Sequence, residues 1–314
     1  MAQFTWSFDA PTGTYKNHAI SRRLYVASVQ KCIFMDYVRP VEGFGRKMGD
    51  TVTLTRVRAI TEPTSAVLTE AQRIPEDSFA LSTTSLTVEE YGRALPYTSL
   101  ADDLGFFDLE NPIQMKLRDQ MQLSLDSAAA TAFQAGQIKY AITGAAANNI
   151  ATNGTFGAAS SDNMNVWHAE QIRDYLFDTL YAPPYEGDDY IGIFRTLGLR
   201  GIKLDPAWET CHKYTDPEAK YNGEVGRIEG IRFVETNHAN ALAKVGTNSV
   251  LGEGVVFGQD AVALAEVLTP ELRASIPGDF GRSKSVAWYG ILKFGLVWTT
   301  GNAGEARVLH VGST

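Results

Sequence analysis

Asp50-Thr51-Val52-Thr53-Leu54-Thr55-Arg56-Val57-Arg58-Ala59-Ile60 is a β-branched run of strict alternation, with Val52, Leu54, Arg56 and Arg58 on one face and Thr51, Thr53, Thr55, Val57 and Ala59 on the other. Neither face is convincingly apolar. A second run, Thr83-Thr84-Ser85-Leu86-Thr87-Val88-Glu89-Glu90-Tyr91, has the same character, and the chain between them carries Pro63 and Pro75 with few large apolar residues. Two strands of roughly ten residues, rising about 3.3 Å per residue, reach about 33 Å. Strands that long and that poor in apolar side chains suit a ribbon projecting from the body better than a core sheet. Arg56 and Arg58 on one strand and Glu89 and Glu90 on the other are candidate partners across it.

Outward from the ribbon, Asn111-Pro112 opens the clearest helix in the chain, since Asn caps well and Pro is tolerated in a first turn. Ile113, Leu117, Met121, Leu125, Ala128 and Ala132 follow in one stripe, predicting a helix over 111–136. At 1.5 Å per residue it measures about 38 Å, most of the width of a body this size. It is a spine. Towards the N-terminus, residues 1–19 show neither helical nor strand period and read as an extended arm, and Leu24, Ala27, Ile33 and Tyr37 predict a helix over 20–38 that Pro40 closes.

Beyond the spine, the Gly-, Ala-, Asn- and Ser-rich residues 141–163 read as loop, and Ile172, Leu176 and Leu180 predict a helix over 166–181 ended by Pro183-Pro184. Tyr190-Ile191-Gly192-Ile193-Phe194 and Gly230-Ile231-Arg232-Phe233-Val234-Glu235 read as short strands, and Ser249-Val250-Leu251 with Val255-Val256-Phe257 as another pair. The chain closes on an expected hairpin: Val286, Trp288, Leu292, Phe294, Leu296 and Trp298 share one face, 301–304 turn, and Ala306, Val308 and His310 alternate on the return. The class is α+β, without βαβ rhythm or internal repeat.

The 314 residues give a prior of about two folded units. With 44% apolar and 20% charged residues, a disordered tail, a collagen and a coiled coil are excluded. Twenty-eight basic against 36 acidic residues leave a net charge of −8, the wrong balance for a protein whose main work is gripping phosphate. Cys32 and Cys211 are too few for a disulfide scaffold and lack zinc-motif spacing, which fits a reducing compartment. Neither a signal-peptide pattern nor a long apolar run occurs, so a soluble, unsecreted protein that meets no membrane is expected.

Ser28-Val29-Gln30-Lys31 with Ser161-Asp162-Asn163 reproduces two of the three signatures of penicillin-recognising serine enzymes. The third, Lys-Thr-Gly, is missing, the nearest text being Lys244-Val245-Gly246. Tripeptides of this kind arise by chance in a chain this long, and the Ser-x-x-Lys reads more simply as a polar helix face. His18, His168, His212, His238 and His310 never stand at metal-ligand spacing, and Cys211-His212 are adjacent. Asp102-Asp103 and Asp188-Asp189 lack calcium-loop spacing, and Gly43-Phe44-Gly45 and Gly252-Glu253-Gly254 lack a phosphate-binding Lys. No catalytic, metal or cofactor site is expected.

A mobile arm, a ribbon and a spine bury little within one chain, and surface that is not buried within a chain is usually buried between chains. A self-assembling protein is the natural reading. The arrangement resembles the major capsid protein of tailed bacteriophages, of the Hong Kong 97-type or Johnson fold, nearest in wording to podophage coat proteins. The resemblance is carried by Gly49-Asp50-Thr51-Val52-Thr53-Leu54, Leu86-Thr87-Val88-Glu89-Glu90-Tyr91-Gly92, Gly223-Glu224-Val225-Gly226, Gly230-Ile231-Arg232-Phe233-Val234-Glu235-Thr236 and Val255-Val256-Phe257-Gly258-Gln259-Asp260-Ala261, in the family's order. It implies an N-terminal arm (1–19), a peripheral domain (20–45, 96–140 and 251–314, with the spine helix 111–136), an extended loop (46–95) and an axial domain (141–250).

The resemblance further implies pentamers and hexamers in an icosahedral shell, built in the host cytoplasm and ending as the virion capsid. Its partners would be other copies of the chain, a portal protein, a decoration protein where the shell carries one, and double-stranded DNA enclosed without sequence-specific binding. Because about 19 residues precede the first predicted helix, a separate scaffolding protein is expected. Arg56, Arg58 and Arg73 facing a neighbour's Asp102, Asp103 and Glu110, with Glu89 and Glu90 nearby, are the candidate intersubunit contacts. A cellular nanocompartment shell of the same fold is the alternative, and a Ser-x-x-Lys hydrolase a distant one.

Overall fold

A long helix with one apolar stripe needs cover along its whole length, and in the computed structural model two sheets supply it. The structure describes residues 27–312 other than 59, 61, 64, 69, 71, 72, 105–109, 207–225 and 245–251. In chain order the elements are β1 (Arg39–Pro40), β2 (Thr51–Val57), β3 (Leu81–Thr87), β4 (Glu89–Thr98), α1 (Ser99–Leu104), α2 (Glu110–Gln134), β5 (Ile138–Gly144) and β6 (Ala147–Ala151). They continue with α3 (Val166–Asp174), β7 (Tyr190–Arg195), α4 (Thr196–Lys203), β8 (Arg227–Ile228), β9 (Ile231–Thr236), β10 (Gly254–Phe257), β11 (Val262–Ala274), β12 (Ser283–Leu296) and β13 (Val308–Val311). The spine is α2, with Pro112 harmless in its first turn.

A four-stranded sheet, β1-β11-β12-β4, covers the N-terminal half of α2, where Leu117, Val286 and Trp288 form a small core with Ile113, Met121, Tyr91 and Tyr97. A seven-stranded sheet, β6-β5-β13-β10-β7-β9-β8, lies against its C-terminal half. Strands β7, β10 and β13 are buried on both faces. Ile191, Ile193, Val255 and Phe257 point into the core shared with α2, and Tyr190, Phe194 and Val256 into a second core under α3 and α4. Phe133 near the end of α2 stacks obliquely on Phe257 at 4.6 Å between ring centroids and on Phe34 at 5.7 Å.

The structure departs from the sequence reading in several places, each for a packing reason. The helix expected over 20–38 is absent from its described part: residues 27–33 have no regular structure and only Phe34–Tyr37 forms a single 3-10 turn. The turn is held instead by Asp126 of α2, fully buried, whose Oδ1 accepts the backbone N–H groups of Ile33 (2.9 Å), Phe34 (2.7 Å) and Met35 (3.3 Å). Ser28 and Lys31 are therefore not on a helix, which removes the turn that a Ser-x-x-Lys pair needs. The arm, Cys211-His212 and Ser249-Val250-Leu251 lie outside the described residues.

The closing hairpin is not one. Strand β12 pairs with β11 and β4, whereas β13 crosses to the other sheet between β10 and β5. Four consecutive buried residues in β13 need cover on both faces, which the one-sided sheet beside α2 cannot give. Residues 141–163 hold the end of β5 and all of β6 rather than only loop, because β5 is an inner strand that pairs with β13 through Ile138–Tyr140 and with β6 along its other edge. Strand β11 went unread: its Ala, Leu and Glu do not read as strand, and Pro270 interrupts the run. The structure absorbs Pro270 at register shifts between Glu266 and Glu271, where a missing N–H costs no ladder bond. The second ribbon run also divides at Val88, so that Glu89–Thr98 leaves the ribbon to pair with β12.

Among these contacts the Asp126 carboxylate carries the largest single liability, since its loss strands three amides of a buried turn. We expect Asp126→Ala to lower the unfolding free energy of the unassembled subunit by about 3–5 kcal/mol. Asp126→Asn, which keeps an acceptor, should cost less; equal urea midpoints for Asp126→Ala and the wild type would remove Asp126 from this role.

Candidate intersubunit surface

The ribbon β2/β3 buries one edge of itself. Thr51 stands opposite Thr87 and Val57 opposite Leu81, and the Val52, Leu54, Arg56 face turns inward onto Leu86, Ala263 and Ala265. A Cβ on Gly295 of β12 would collide with the Leu86 side chain, so the glycine is what lets the ribbon seat this closely. The opposite face is threonine-rich and exposed.

Arg56, expected from the sequence to pair across the ribbon or with a neighbour's acidic residues, is 6% exposed. Its guanidinium lies 5.4 Å from the centroid of Trp298 and donates to the carbonyl of Val297 (3.1 Å), the Thr299 hydroxyl (3.4 Å) and the Thr83 carbonyl (3.4 Å). Arg307 approaches the same ring at 5.4 Å. Arg58 donates from Nε to Glu305 Oε1 at 2.7 Å, and the hydroxyl of Thr300 and the amide of Asn302 donate to the other oxygen. The cross-ribbon pairing with Glu89 and Glu90 does not occur, because the register sets Arg56 opposite Ser82 and both glutamates lie beyond the other end of the ribbon, in β4: Glu89 pairs with Lys293 and Glu90 with the Tyr289 hydroxyl. Trp298, Glu305 and Arg307 anchor the ribbon and were missed by sequence reasoning. The signal present was an unpaired Trp, Glu and Arg beside the Gly-rich 301–304 turn, and it does not say which strand they would meet.

Of the remaining candidates, Arg73 pairs with Glu76 three residues on, both highly exposed. Asp102 in α1 is half-buried and 3.4 Å from Lys284, while Asp103 beside it is exposed. Glu110 opens α2 and accepts from Gln114 at 3.0 Å. Within one chain these acidic residues and the ribbon arginines are not brought together. Between β2 and β3 the ribbon carries Ile60, Val67, Leu68, Ile74 and Phe79, from 57% to 85% exposed, and the tip between β11 and β12 exposes Ile276 and Phe280 almost completely. A run of large apolar residues left in water on a projecting segment marks a protein-contact surface.

Away from the ribbon, Cys32, Asp126 and His238 come within reach of one another, a juxtaposition that separations along the chain could not reveal. Among the described residues no helix is long and apolar enough to cross a membrane.

No protein-family model and no curated protein matches the chain. Solved phage capsids do. The cyanophage Pam1 capsid aligns at TM-score 0.71 and 14% identity, covering 100% of this chain and 99% of that one. The capsid of Helicobacter pylori bacteriophage KHP30 gives 0.69 and 13%, covering 95% of each. The capsid of cyanophage P-SCSP1u gives 0.67 and 10%, covering 95% of this chain and 93% of that one. The chain therefore has the α+β Hong Kong 97-type fold of phage capsid proteins.

The ribbon's anchor is sensitive to acid. Burial pushes the Glu305 carboxyl up, but the hydrogen bonds from Thr300, Arg58 and Asn302 outweigh it and hold it below its ordinary range. A carboxyl lowered on folding stabilises the native state above the unfolded-chain value of about 4.3, and that contribution drains as pH falls through the lower native value. Wild-type Tm should drop on acidification below about pH 4 more steeply than that of Glu305→Gln, which starts lower at neutral pH. Parallel Tm profiles would rule the clamp out.

Proposed function

We propose that the chain is the major capsid protein of a tailed bacteriophage, assembling into the pentamers and hexamers of an icosahedral shell around double-stranded DNA. The observation that carries this reading is the end-to-end match to phage capsids: 94–100% of the chain aligns, and 93–99% of each of those capsid chains is covered in return. The exposed apolar ribbon supports it independently, since that surface is costly unless a neighbouring subunit covers it. We assign the protein a structural and not an enzymatic role.

In this reading residues 46–95 are the extended loop lying over a neighbour, 141–250 the axial domain at the capsomer centre, and 20–45, 96–140 and 251–314 the peripheral domain. A separate scaffolding protein, a portal and, where present, a decoration protein are its assembly partners in the host cytoplasm. The net charge of −8, repeated across a shell, gives mild repulsion of packaged DNA rather than adhesion, which suits a wall that must release its contents.

Because Arg56 and Arg58 hold the ribbon to its own chain, the salt-sensitive contact between subunits falls to Arg73 and to the exposed Asp103. Charge reversal at Asp103 should weaken shell assembly most at low ionic strength, a defect that added salt relieves, while leaving the subunit's own unfolding free energy within about 0.5 kcal/mol of wild type, as is usual for surface changes. Negative-stain microscopy of the expressed protein, with and without its scaffolding partner, tests the reading as a whole. Shells, empty or filled with the scaffolding partner, are the expected result; a monodisperse monomer under every condition, or shells that enclose a cellular cargo enzyme, would overturn it.

A further inference from the structure

Three separate pieces of chain meet below residue 33. Cys32 comes from the segment leading into the 3-10 turn, Asp126 from the middle of α2 and His238 from the loop after β9, and one ligating atom of each lies within 4.8 Å of the other two. His238 Nδ1 and Asp126 Oδ2 are 2.9 Å apart, and both side chains are almost wholly buried. We propose that this cluster binds a divalent transition-metal ion, zinc by its donor set, which staples the N-terminal segment to the spine helix and to the β9 loop.

The donors are of the right kind. A thiolate, an imidazole and a carboxylate together select zinc over the hard cations, and three protein ligands leave a fourth position for water. Around zinc, with N and O donors at about 2.0–2.1 Å and sulfur at about 2.3 Å, tetrahedral edges run about 3.3–3.6 Å. The His238–Asp126 pair, 2.9 Å apart, opens slightly to meet that, and Cys32 Sγ, within 4.8 Å of both, closes on them. The charges also balance, because Asp126 and a Cys32 thiolate carry two negative charges against a divalent ion, and the imidazole is neutral. The ion takes the place of the proton between His238 Nδ1 and Asp126 Oδ2, which moves to Nε2, and of the thiol proton, which leaves to solvent.

The surroundings hold the ligands in place. Asp126 Oδ1 is fixed by three backbone amides, so the carboxylate cannot turn and Oδ2 remains directed at His238, the arrangement that outer-shell hydrogen bonds give metal ligands. The backbone N–H of His238 donates to the Thr236 hydroxyl, which donates in turn to the Lys31 carbonyl, so the same three pieces of chain are already gathered. Without an ion, burial, Asp126 and Asp36 push the Cys32 thiol up to about 11, and a divalent charge beside it reverses that. Cys32 also lines a cavity of about 580 Å³ with Val29, Gln30, Met35 and Asp36, an entry path for ion and water.

Untagged, full-length, unassembled protein, reduced and stripped with chelator, is titrated with Co²⁺ and then Zn²⁺. One equivalent of cobalt should give the visible bands of a tetrahedral site with a thiolate charge-transfer band, and zinc should displace it. Cys32→Ser should abolish the charge-transfer band, and both it and His238→Asn should weaken binding more than about tenfold. Cys211→Ser should change nothing. Circular dichroism separates lost binding from lost fold. A folded wild type without a thiolate–cobalt band, or a band that survives Cys32→Ser, would sink the proposal. Since the measurement uses unassembled subunits, its outcome is independent of whether shells form.

Discussion

Helix α2 presents a small-residue face, Ala129, Ala130 and Ala132 with Phe133, that cannot be covered from one side only. Both sheets must close on it at once, and the other long-range pairings follow from that demand. Strand β12 supplies the cover at one end with alternate residues, and the inner strands of the seven-stranded sheet supply it at the other with residues buried on both faces. Because β13 must leave β12 to reach its place in the second sheet, the last stretch of chain ties the two halves together. The spine is thus a shared wall, and the two units that length suggested share one core.

The ribbon depends on the same frame while contributing little to it. Among the described residues its apolar contact is a small cluster with Val41, Phe44, Ala263, Ala265 and Val297, and its charges do local work: Arg56 is pinned on Trp298 and Arg58 on Glu305. Such an anchor fixes the base of a projection and leaves the chain beyond it, with Ile60, Val67, Leu68, Ile74 and Phe79 in water, to find cover elsewhere. The protein therefore separates an anchored root from a tip whose large apolar side chains stand in water.

Some of this was legible in the residues. The stripe from Ile113 to Ala132 located the spine almost to the residue, since periodicity over many turns leaves little room for error. The alternation from Thr51 to Val57 located the ribbon, and the apolar run from Tyr190 to Phe194 a buried strand. Strand β11 was not legible because its Ala, Leu and Glu outnumber the β-branched Val262, Val267 and Thr269 and Pro270 interrupts it. From residue 27 on, the helix expected over 20–38 does not form: Ala27, Ile33 and Tyr37 fit a helical period, whereas a carboxylate on a distant helix decides how residues 33–35 satisfy their amides.

Local signals are those a residue sends its near neighbours, and on them rest the elements, their lengths, the poverty of the ribbon's faces and the absence of any catalytic motif with all its parts. Partnership across the chain was decided only by tertiary structure. Arg56 and Arg58 offered two acidic partners on the second ribbon run, yet they meet Trp298 and Glu305, because the register sets Arg56 opposite Ser82 and the chain carries Glu89 and Glu90 past the far end of β2 into another sheet. Cys32, Asp126 and His238 stand far apart in sequence and share one buried point, since packing against α2 brings both flanking segments to the same turn of the helix. Spacing along a chain constrains what a helix or strand can bring together; only the closure of a core on that helix brings together the rest.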